Sequence, residues 1–443
     1  MSAWVDDGNA ALLTDLYQLT MLQAYIREGL EGEAVFDLFV RRLPAQRNYL
    51  VACGLDDALH FLESFCFSPE AIGYLASLGG FSKDFLGWLE DLRFRGDVWA
   101  VPEGTPVFAH EPIVEVVAPL PEAQLVETFL LNQISFQTLV ASKAARVVIA
   151  AGGRPVVEFG LRRLHGTDAG MKAARASFIA GVGATSNVLA GAVYGIPVTG
   201  TMAHSYVEAH DSELDAFHAF VGLYPDSTLL VDTYDTLRGV GNVIRLAREL
   251  GDDFTVRAIR LDSGDLAGLA VDARKLLDDA GLTGVEIFAS GNLDEYRIAD
   301  LIASGAPIAG FGVGTRMGVS ADGPSLDTAY KLVGYAGRSR MKLSTGKSNL
   351  PGRKQVFRTD THDVIALHDE PGDGRALLEK VMEAGRRLPA GTRTLPQIAE
   401  HTRDEAQRLP AHLHRIETAD PPYRVDLSPG LAGEVDRLTS LCM

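Results

Sequence analysis

A histidine in a chemically useful setting lies near the middle of the sequence. His204 ends the stretch Gly-Thr-Met-Ala-His that begins at Gly200. An imidazole in such a place can act as a general base, a nucleophile or a metal ligand. His210 lies six positions later, which does not put two ligands on one helical face, and no cysteine is near, so the spacing argues against zinc. A histidine without a chemical role is the simpler alternative.

A second group of side chains could bind a phosphorylated sugar. Arg260, Asp262 and Asp265 lie together directly after an apolar run. Carboxylates there can accept hydrogen bonds from sugar hydroxyls or hold Mg²⁺, which prefers oxygen ligands. An aspartate that only caps the following helix is the alternative, above all for Asp265. The pattern does not assign metal ligands.

A third group favours phosphate binding. Gly312 and Gly314 follow a strand-like run, and Thr315 and Arg316 come next. In α/β barrels, the loops after late strands often hold a phosphate with backbone N–H groups and a helix N-terminus. A tight turn without a ligand is the alternative.

An aromatic residue and two arginines form a fourth group. Phe159 could stack on a flat anionic ligand whose carboxylate pairs with Arg162 or Arg163. A core phenylalanine beside surface arginines explains the same spacing equally well.

The elements that must position these groups follow from about residue 155 onward. Short apolar runs, each followed by a helical pattern, predict β-α units, a parallel sheet and an α/β barrel. In such folds the carboxyl ends of the strands form the active face, so the polar residues that end each run should converge. The predicted strands are 155–160, 197–201, 227–233, 255–264, 285–291 and 306–314.

The first third of the chain predicts a smaller α+β domain. A helical period covers 12–30 with Thr14 as its N-cap, and alternation at 33–43 predicts a strand. Short strands should lie within 96–119, and a long helix at 122–151. We therefore predict three domains. They are an N-terminal α+β domain at 1–130, a barrel at 131–360, and a helical segment at 361–443 that completes the first domain.

Charge and composition limit the partners. The net charge of −17 argues against nucleic-acid binding, which needs a basic face. The sequence contains no uninterrupted run of about 18 apolar residues, so we predict no membrane span. Near the N-terminus, acids occupy the place where a secretion signal would have a basic region. The three cysteines are too few for a disulfide framework, so we expect a cytoplasmic protein.

One stretch of this acidic chain is basic. Residues 338–358 carry seven basic side chains and no acid, which predicts a patch facing anions, a basic interface or an ordinary solvated surface. The stretch 344–348 does not complete a P-loop, because Met341 stands where that motif needs glycine.

Taken together, these motifs resemble nicotinate phosphoribosyltransferases. The resemblance runs in the family's order from residue 14 to residue 358. It includes the four groups described above and further motifs along the chain. The matching stretches are 14–21, 158–166, 185–191, 200–205, 231–236, 259–266, 288–295, 310–317, 330–333 and 342–358.

The resemblance implies a fold and a reaction. It implies the irregular α/β barrel of type II phosphoribosyltransferases with an N-terminal α+β domain. It also implies that nicotinate and phosphoribosyl pyrophosphate give nicotinate mononucleotide and pyrophosphate in NAD salvage, with Mg²⁺ and coupled ATP hydrolysis. A homodimer whose active site lies at the interface is a further implication.

The resemblance also implies roles for single residues. His204 resembles the histidine that ATP phosphorylates, and Asp232 resembles the acid that orients its ring. Arg260 and Asp262 resemble the groups that hold the phosphoribosyl moiety. The residues that resemble the 5′-phosphate site are Ser290, Gly291, Gly312, Gly314 and Thr315.

The same resemblance implies a pocket for the pyridine ring. Phe159 and Tyr17 of the partner subunit would enclose the ring, with Arg162 beside it. Lys342 and Arg353 would face nucleotide phosphates or pyrophosphate.

Ser186 bears on the substrate. Relatives that use nicotinamide carry an aspartate at this position, and an acid there would repel a carboxylate. Serine therefore favours nicotinate. A phosphoribosyltransferase for another aromatic carboxylic acid remains an alternative. A catalytically silent paralogue that binds nucleotides is a second one, and the joint presence of His204, Asp232, Arg260 and Asp262 argues against it.

Overall fold

The computed structural model describes residues 3–344 and 346–441. Thr345, within the glycine-containing stretch 344–348, lies outside the described residues. The chain forms two compact units. One is Met1–Ser142 with Ser325–Met443, and the other is Lys143–Pro324.

These boundaries differ from the predicted ones at 130 and 360. Residues 325–360 belong to the first unit, because the strand Thr328–Tyr335 pairs antiparallel with the strand Glu33–Val40. A pairing between such distant segments leaves no local signal in the sequence.

The N-terminal part begins with a helix that is shorter than predicted. It runs from Leu16 with Asp15 as N-cap, instead of Thr14, because Ala10–Leu12 form a separate 3₁₀ turn. The strands of this part are β1 Glu33–Val40, β2 Leu50–Val51, β3 Asp97–Ala100, β4 Pro106–Val107 and β5 Pro112–Pro119. The helices are α1 Leu16–Glu28, α2 Leu55–Ser64, α3 Pro69–Ser77, α4 Lys83–Asp91, α5 Leu120–Leu125 and α6 Glu127–Ala151.

The helix α6 is the one described helix long and apolar enough to cross a membrane. In the structure, 67% of the most apolar 18-residue stretch of α6 is buried. A buried core helix of a soluble protein can have the same length and apolar composition. The helix α6 is therefore weak evidence for a membrane span.

The second unit contains a six-stranded, fully parallel sheet in the order β7-β6-β11-β10-β9-β8. Its strands are β6 Val156–Glu158, β7 Ala184–Thr185, β8 Thr228–Leu230, β9 Ala258–Leu261, β10 Glu286–Ala289 and β11 Gly310–Val313. Its helices are α7 Thr167–Ile179, α8 Val188–Tyr194, α9 His204–Glu208, α10 Glu213–Leu223, α11 Thr236–Leu250, α12 Leu266–Asp279, α13 Glu295–Ala303 and α14 Thr315–Gly318. A helix follows each of these strands, as predicted, but three helices, α8 to α10, lie between β7 and β8.

One predicted strand is almost absent. Within 197–201 only Val198 pairs, through a single parallel bridge to Thr185. The bridge places Val198 beside β7 at the edge of the sheet. The sequence did not predict β7, because its two residues are too few to show a two-residue period.

The C-terminal part returns to the first unit and mixes strands with helices, where 361–443 was expected to be helical. The strands are β12 Thr328–Tyr335, β13 Arg338–Ser339, β14 Lys354–Arg358, β15 His362–Leu367, β16 Arg375–Ala376, β17 Glu379–Glu383, β18 Arg386–Arg387 and β19 Arg424–Leu427. The helices are α15 Leu395–Arg408 and α16 Pro429–Leu441. In the seven-stranded sheet the order is β13-β12-β1-β5-β3-β17-β18.

The strand β9 shows how the sequence positions a polar group. Ile259 and Leu261 are fully buried in the core of the barrel, while Arg260 between them is only partly buried. Side chains alternate between the two faces of a strand, so burial of the two apolar neighbours turns Arg260 to the other side.

Candidate active site

A cleft of about 480 Å³ lies at the carboxyl ends of the parallel strands. It brings together most of the residues that the sequence singled out. Those that line it are Phe159, Arg162, Ser186, His204, Arg260, Asp262, Ser290, Gly291, Gly312, Gly314 and Thr315.

Arg260 organises one wall of the cleft. Its Nη2 donates to Asp262 Oδ1 at 2.6 Å and its Nε donates to Ser290 Oγ at 2.8 Å. Ser290 Oγ in turn donates to Asp262 Oδ1 at 2.5 Å, and Arg260 Nη1 donates to Thr201 Oγ1 at 2.7 Å. The guanidinium is therefore fixed by three side chains from three different loops.

The same contacts set the charge of Asp262. Burial acts to raise the pKa of its carboxyl, but the hydrogen bonds from Ser290 and Arg260 outweigh burial and hold the pKa below its ordinary value. Asp262 is thus an anion at neutral pH. Its Oδ2 makes no hydrogen bond with the described residues.

Asp232 supports this wall from the end of the neighbouring strand. Its Oδ2 accepts from the backbone N–H of Asp262 at 3.0 Å and from Ser263 Oγ at 2.6 Å. Its Oδ1 is buried without a hydrogen-bond partner in the described part of the chain. The carboxylate therefore orders the loop that carries Asp262.

The hydrogen-bond partner of His204 differs from our prediction. His204 Nδ1 lies 3.2 Å from Thr233 Oγ1, while Asp232 is committed to the 262–263 loop. Asp232 and Thr233 follow β8 as neighbours in the chain, and Thr233 contacts the imidazole while Asp232 contacts the 262–263 loop. His204 Nε2 has no hydrogen-bond partner among the described residues.

A buried acid shapes the loop after β6. Glu158 Oε1 accepts from the Gly160 N–H, and its Oε2 accepts from Thr185 Oγ1 at 2.7 Å. Burial raises the pKa of Glu158, although these two hydrogen bonds act to lower it. The contacts fix the turn that presents Phe159 to the cleft.

Phe159 needs the glycine at 312. A Cβ on Gly312 would lie 2.5 Å from Cε2 of the Phe159 ring. The Arg260 guanidinium carbon lies 5.5 Å from the centre of the same ring, within the range of a cation–π contact. Gly312 therefore makes room for the ring, in addition to lining the predicted phosphate site.

Gly291 allows two loops to meet. Its φ is +92°, and a Cβ there would lie 1.7 Å from the Asp262 carbonyl oxygen. Only glycine fits a left-handed backbone with so close a contact.

Two arginines in the cleft are not engaged by other side chains. Arg162 and Arg163 are exposed, and their side chains make no ion pair or hydrogen bond within the described ranges. Arg316, by contrast, pairs with Asp294 at 2.9 Å and donates to Asn292 at 3.0 Å, so it supports the loop after β10.

Three predicted residues lie in the first unit. Tyr17 is about half exposed, and its hydroxyl is 3.4 Å from Glu127 Oε2. Burial, followed by the charge of Glu127, raises the pKa of Tyr17 to about 12. Lys342 is exposed.

Arg353, the third, is engaged within the first unit. Its Nε donates to the fully buried carboxylate of Glu115 at 2.9 Å, and its guanidinium carbon lies 4.2 Å from the centre of the Trp99 ring. Lys354 and Arg358 likewise form ion pairs with Asp37 and Asp363. Part of the basic stretch 338–358 is therefore internal structure, not a free patch.

Four polar residues of the site were missed or left without a role. They are Thr201, which holds Arg260; Thr233, which contacts His204; Ser263, which donates to Asp232; and Glu158. Hydroxyl side chains carry no pattern of their own. Their position at strand ends was the one available signal.

The described residues contain no group of three or more His, Cys, Asp or Glu side chains that could hold a metal ion by themselves.

Comparisons with known proteins point to one family. Residues 12–135 match the family model for the nicotinate phosphoribosyltransferase N-terminal domain. The chain is 54% identical to nicotinate phosphoribosyltransferase pncB2 of Mycobacterium tuberculosis over 433 residues, which covers 97% of this chain and 94% of the relative. It is 46% identical to the nicotinate phosphoribosyltransferase of Bacillus subtilis over 379 residues, with 82% and 77% covered.

Solved structures give the same result. The crystal structure of human nicotinic acid phosphoribosyltransferase matches with a TM-score of 0.85 and 30% identity, covering 96% of this chain and 99% of the human chain. This likeness confirms the predicted fold class. The nicotinate-nucleotide pyrophosphorylase from Pyrococcus furiosus matches with a TM-score of 0.77 at 24% identity, covering 92% and 99%, and shows a likeness of fold alone.

Proposed function

Because the chain belongs to the nicotinate phosphoribosyltransferase family, we propose that it transfers phosphoribosyl from phosphoribosyl pyrophosphate to nicotinate, coupled to ATP hydrolysis through phosphorylated His204. The products are nicotinate mononucleotide and pyrophosphate. The observation that carries the proposal is the convergence in one cleft of Phe159 with Arg162, the Arg260–Asp262 pair and His204.

The ring substrate is placed by one wall of the cleft. Its pyridine ring lies against Phe159, and its carboxylate meets the guanidinium of Arg162, which has no other partner among the described residues. Ser186 lines the same wall and presents no negative charge to the carboxylate. Tyr17 of the partner subunit covers the other face of the ring.

The sugar donor is placed by the opposite wall. Asp262 Oδ2 accepts from ribose hydroxyls, since Oδ1 is already used by Arg260 and Ser290. The backbone N–H groups of Gly291, Gly314 and Thr315 make no hydrogen bond with described residues, which leaves them available for the 5′-phosphate. Gly312 and Ser290 complete that side of the cleft.

The chemistry asks for position and charge more than for proton transfer. The bond between C1 of the ribose and pyrophosphate breaks through an oxocarbenium-like state, and the pyridine nitrogen forms the new bond. The fixed anion of Asp262 and the fixed cation of Arg260 stay in place while these charges develop.

ATP acts on His204. With Nδ1 directed at the Thr233 hydroxyl, Nε2 is the nitrogen left to attack the γ-phosphoryl group. An N–P bond forms, the bond to the β-phosphate oxygen breaks, and ADP leaves. Later hydrolysis of the phosphohistidine supplies the free energy that favours nicotinate mononucleotide.

Mg²⁺ fits the oxygen groups of the site. Mg²⁺ is usually bound by one or two carboxylates together with substrate phosphates and water. Asp262 Oδ2 and the unpartnered Asp232 Oδ1 are oxygens of the required kind. When bound, the ion offsets the negative charge of the phosphates.

Exposed apolar residues on α8 and α1 support the proposal of a homodimer. Val188, Leu189 and Val193 of α8 are 59% to 71% exposed, and in the first unit Leu16 is 61% exposed beside Tyr17. Contiguous exposed apolar patches mark interaction sites, and the three exposed residues of α8 lie close together on one short helix. A second copy of the chain would cover them, and Lys342 could then meet phosphates across the interface.

The substrate is tested with a panel of pyridine and benzene carboxylates and phosphoribosyl pyrophosphate. We expect mononucleotide formation from nicotinate above all others. If nicotinate gives no mononucleotide and another aromatic acid does, the alternative of a related phosphoribosyltransferase is correct.

His204 is tested by substitution. We expect His204→Ala to abolish ATPase activity and the acid-labile phosphoenzyme, while some phosphoribosyl transfer without ATP remains. His210→Ala is the matched control, because His210 Nδ1 is bonded to the Tyr206 carbonyl and the residue does not line the cleft. Label from γ-labelled ATP on His204→Ala would exclude the proposed acceptor.

A further inference from the structure

A second cavity of about 370 Å³ adjoins the active-site cleft. It lies between the loops that follow β9 and β10, and it shares with the cleft the residues Arg163, Asp262, Gly291 and Asn292. None of the roles proposed above uses its remaining wall.

Two cations face this cavity. Arg163 and Arg297 both line it, both are exposed, and neither makes an ion pair or a side-chain hydrogen bond in the described part of the chain. The one acid in the lining, Asp262, is paired with Arg260. The cavity therefore has an excess of positive charge.

Backbone donors face the same space. The N–H groups of Gly264, Leu266 and Asn292 make no hydrogen bond with described residues, and none of the three is assigned to the 5′-phosphate above. The backbone is left-handed at Gly264, Gly291 and Asn292, with φ of +80°, +92° and +53°. Turns of this kind direct successive N–H groups to one side and form concave sites for anions.

We propose that this cavity is an oxyanion subsite that binds a phosphoryl group, with Arg163 and Arg297 as its cations. A phosphoryl group offers several oxygens at once and so satisfies both guanidiniums and the loop N–H groups. The shared residues make the cavity continuous with the cleft. The subsite goes beyond the proposed transfer reaction and does not depend on which acid is the ring substrate.

The subsite is measured by calorimetric titration of the full chain with inorganic phosphate. Saturating nicotinate mononucleotide fills the nucleotide part of the cleft. Because Arg297 lines the second cavity and does not line the cleft, phosphate binding that depends on Arg297 reports on the second cavity. We expect Arg297→Gln and Arg163→Gln each to weaken phosphate binding at least tenfold. Arg297→Lys should keep part of the affinity. Arg257→Gln is the matched control, since Arg257 is exposed, makes no ion pair with described residues, and precedes the opposite, amino-terminal end of β9.

The source of the phosphoryl group follows from a second titration with ATP. If Arg297→Gln weakens the binding of both ATP and phosphate, the subsite holds the phosphate chain of the nucleotide. If it weakens only phosphate, the subsite holds the free anion. Phosphate binding that is unchanged in both Arg297→Gln and Arg163→Gln, with unchanged folding by circular dichroism, overturns the proposal.

Failure of the transfer reaction gives a different result. If nicotinate mononucleotide does not bind the wild type, the proposed function fails, and phosphate is titrated into the free chain. Arg297→Gln should then still remove one class of phosphate site.

Discussion

The close packing of two loops at Gly291 gives a prediction for both stability and catalysis. A Cβ at this position would lie 1.7 Å from the Asp262 carbonyl oxygen, and φ is +92°. The obstacle is backbone, so no side-chain rotation relieves it. In Gly291→Ala the loop after β9 or the loop after β10 must move by more than 1 Å, and Asp262 moves with it.

The size of the effect follows from two contributions. A left-handed backbone costs a residue with a Cβ about 1–2 kcal/mol. Overpacking a tight contact adds about 1–3 kcal/mol. Misplacing a substrate-binding group by about 1 Å can reduce the rate about 100-fold. We therefore expect Gly291→Ala to lose both stability and most of kcat/KM.

Gly281→Ala is the matched control. Gly281 has a similar φ of +79°, but its Cβ would meet no atom within 4 Å. Denaturant unfolding and transferase assays on both variants therefore isolate the contact from the backbone conformation. Equal stability losses in the two variants, with normal activity in Gly291→Ala, would refute the reasoning.

Three further predictions concern the site. Asp262→Ala should weaken the affinity for phosphoribosyl pyrophosphate at least tenfold in binding titrations and change the affinity for nicotinate by no more than about twofold. Equal losses of affinity for the two ligands would contradict the ribose role. Thr233→Val should slow phosphorylation of His204 about fivefold in a labelling time course, since one hydrogen bond of about 1 kcal/mol is removed; an unchanged rate would show that Thr233 does not orient the ring. Burial raises the pKa of Glu158 above its ordinary value, so its ionisation costs stability as the pH rises from about 4.5 through the folded-state pKa. In unfolding titrations, the free energy of unfolding of Glu158→Gln should therefore rise relative to that of the wild type over that pH range. A difference between the two free energies that does not change with pH would argue against a buried carboxylate with a raised pKa.

The sequence predicted the parts of the fold that have local signals. Apolar runs ending in polar residues located β9, β10 and β11, and with them Arg260, Asp262 and Ser290. The two-residue strand β7 was missed, because it is too short for a period. The division into units was also misplaced, because β12 joins the first unit through pairing with β1, about 290 residues away in the sequence.

The candidate site was predicted as a set of residues but not as a set of contacts. Sequence motifs placed Asp232 near His204, and the structure gives Thr233 as the hydrogen-bond partner. Which of two neighbouring side chains faces a histidine depends on backbone direction at the end of β8, and no residue type records that. The same is true of Arg353, whose charge suggested phosphate and whose contacts are Glu115 and Trp99.

The correction at Asp232 changes how ATP and the sugar donor can be linked. Thr233 contacts the imidazole that we propose ATP phosphorylates, and Asp232, the preceding residue, accepts from the backbone N–H of Asp262. A displacement of the 232–233 segment therefore reaches both His204 and the carboxylate proposed to hold ribose. Energetic coupling between sites is carried by such contiguous contacts. If ATP phosphorylates His204 as we propose, the short segment after β8, more than a direct His–Asp pair, connects that histidine to the carboxylate proposed to bind phosphoribosyl pyrophosphate.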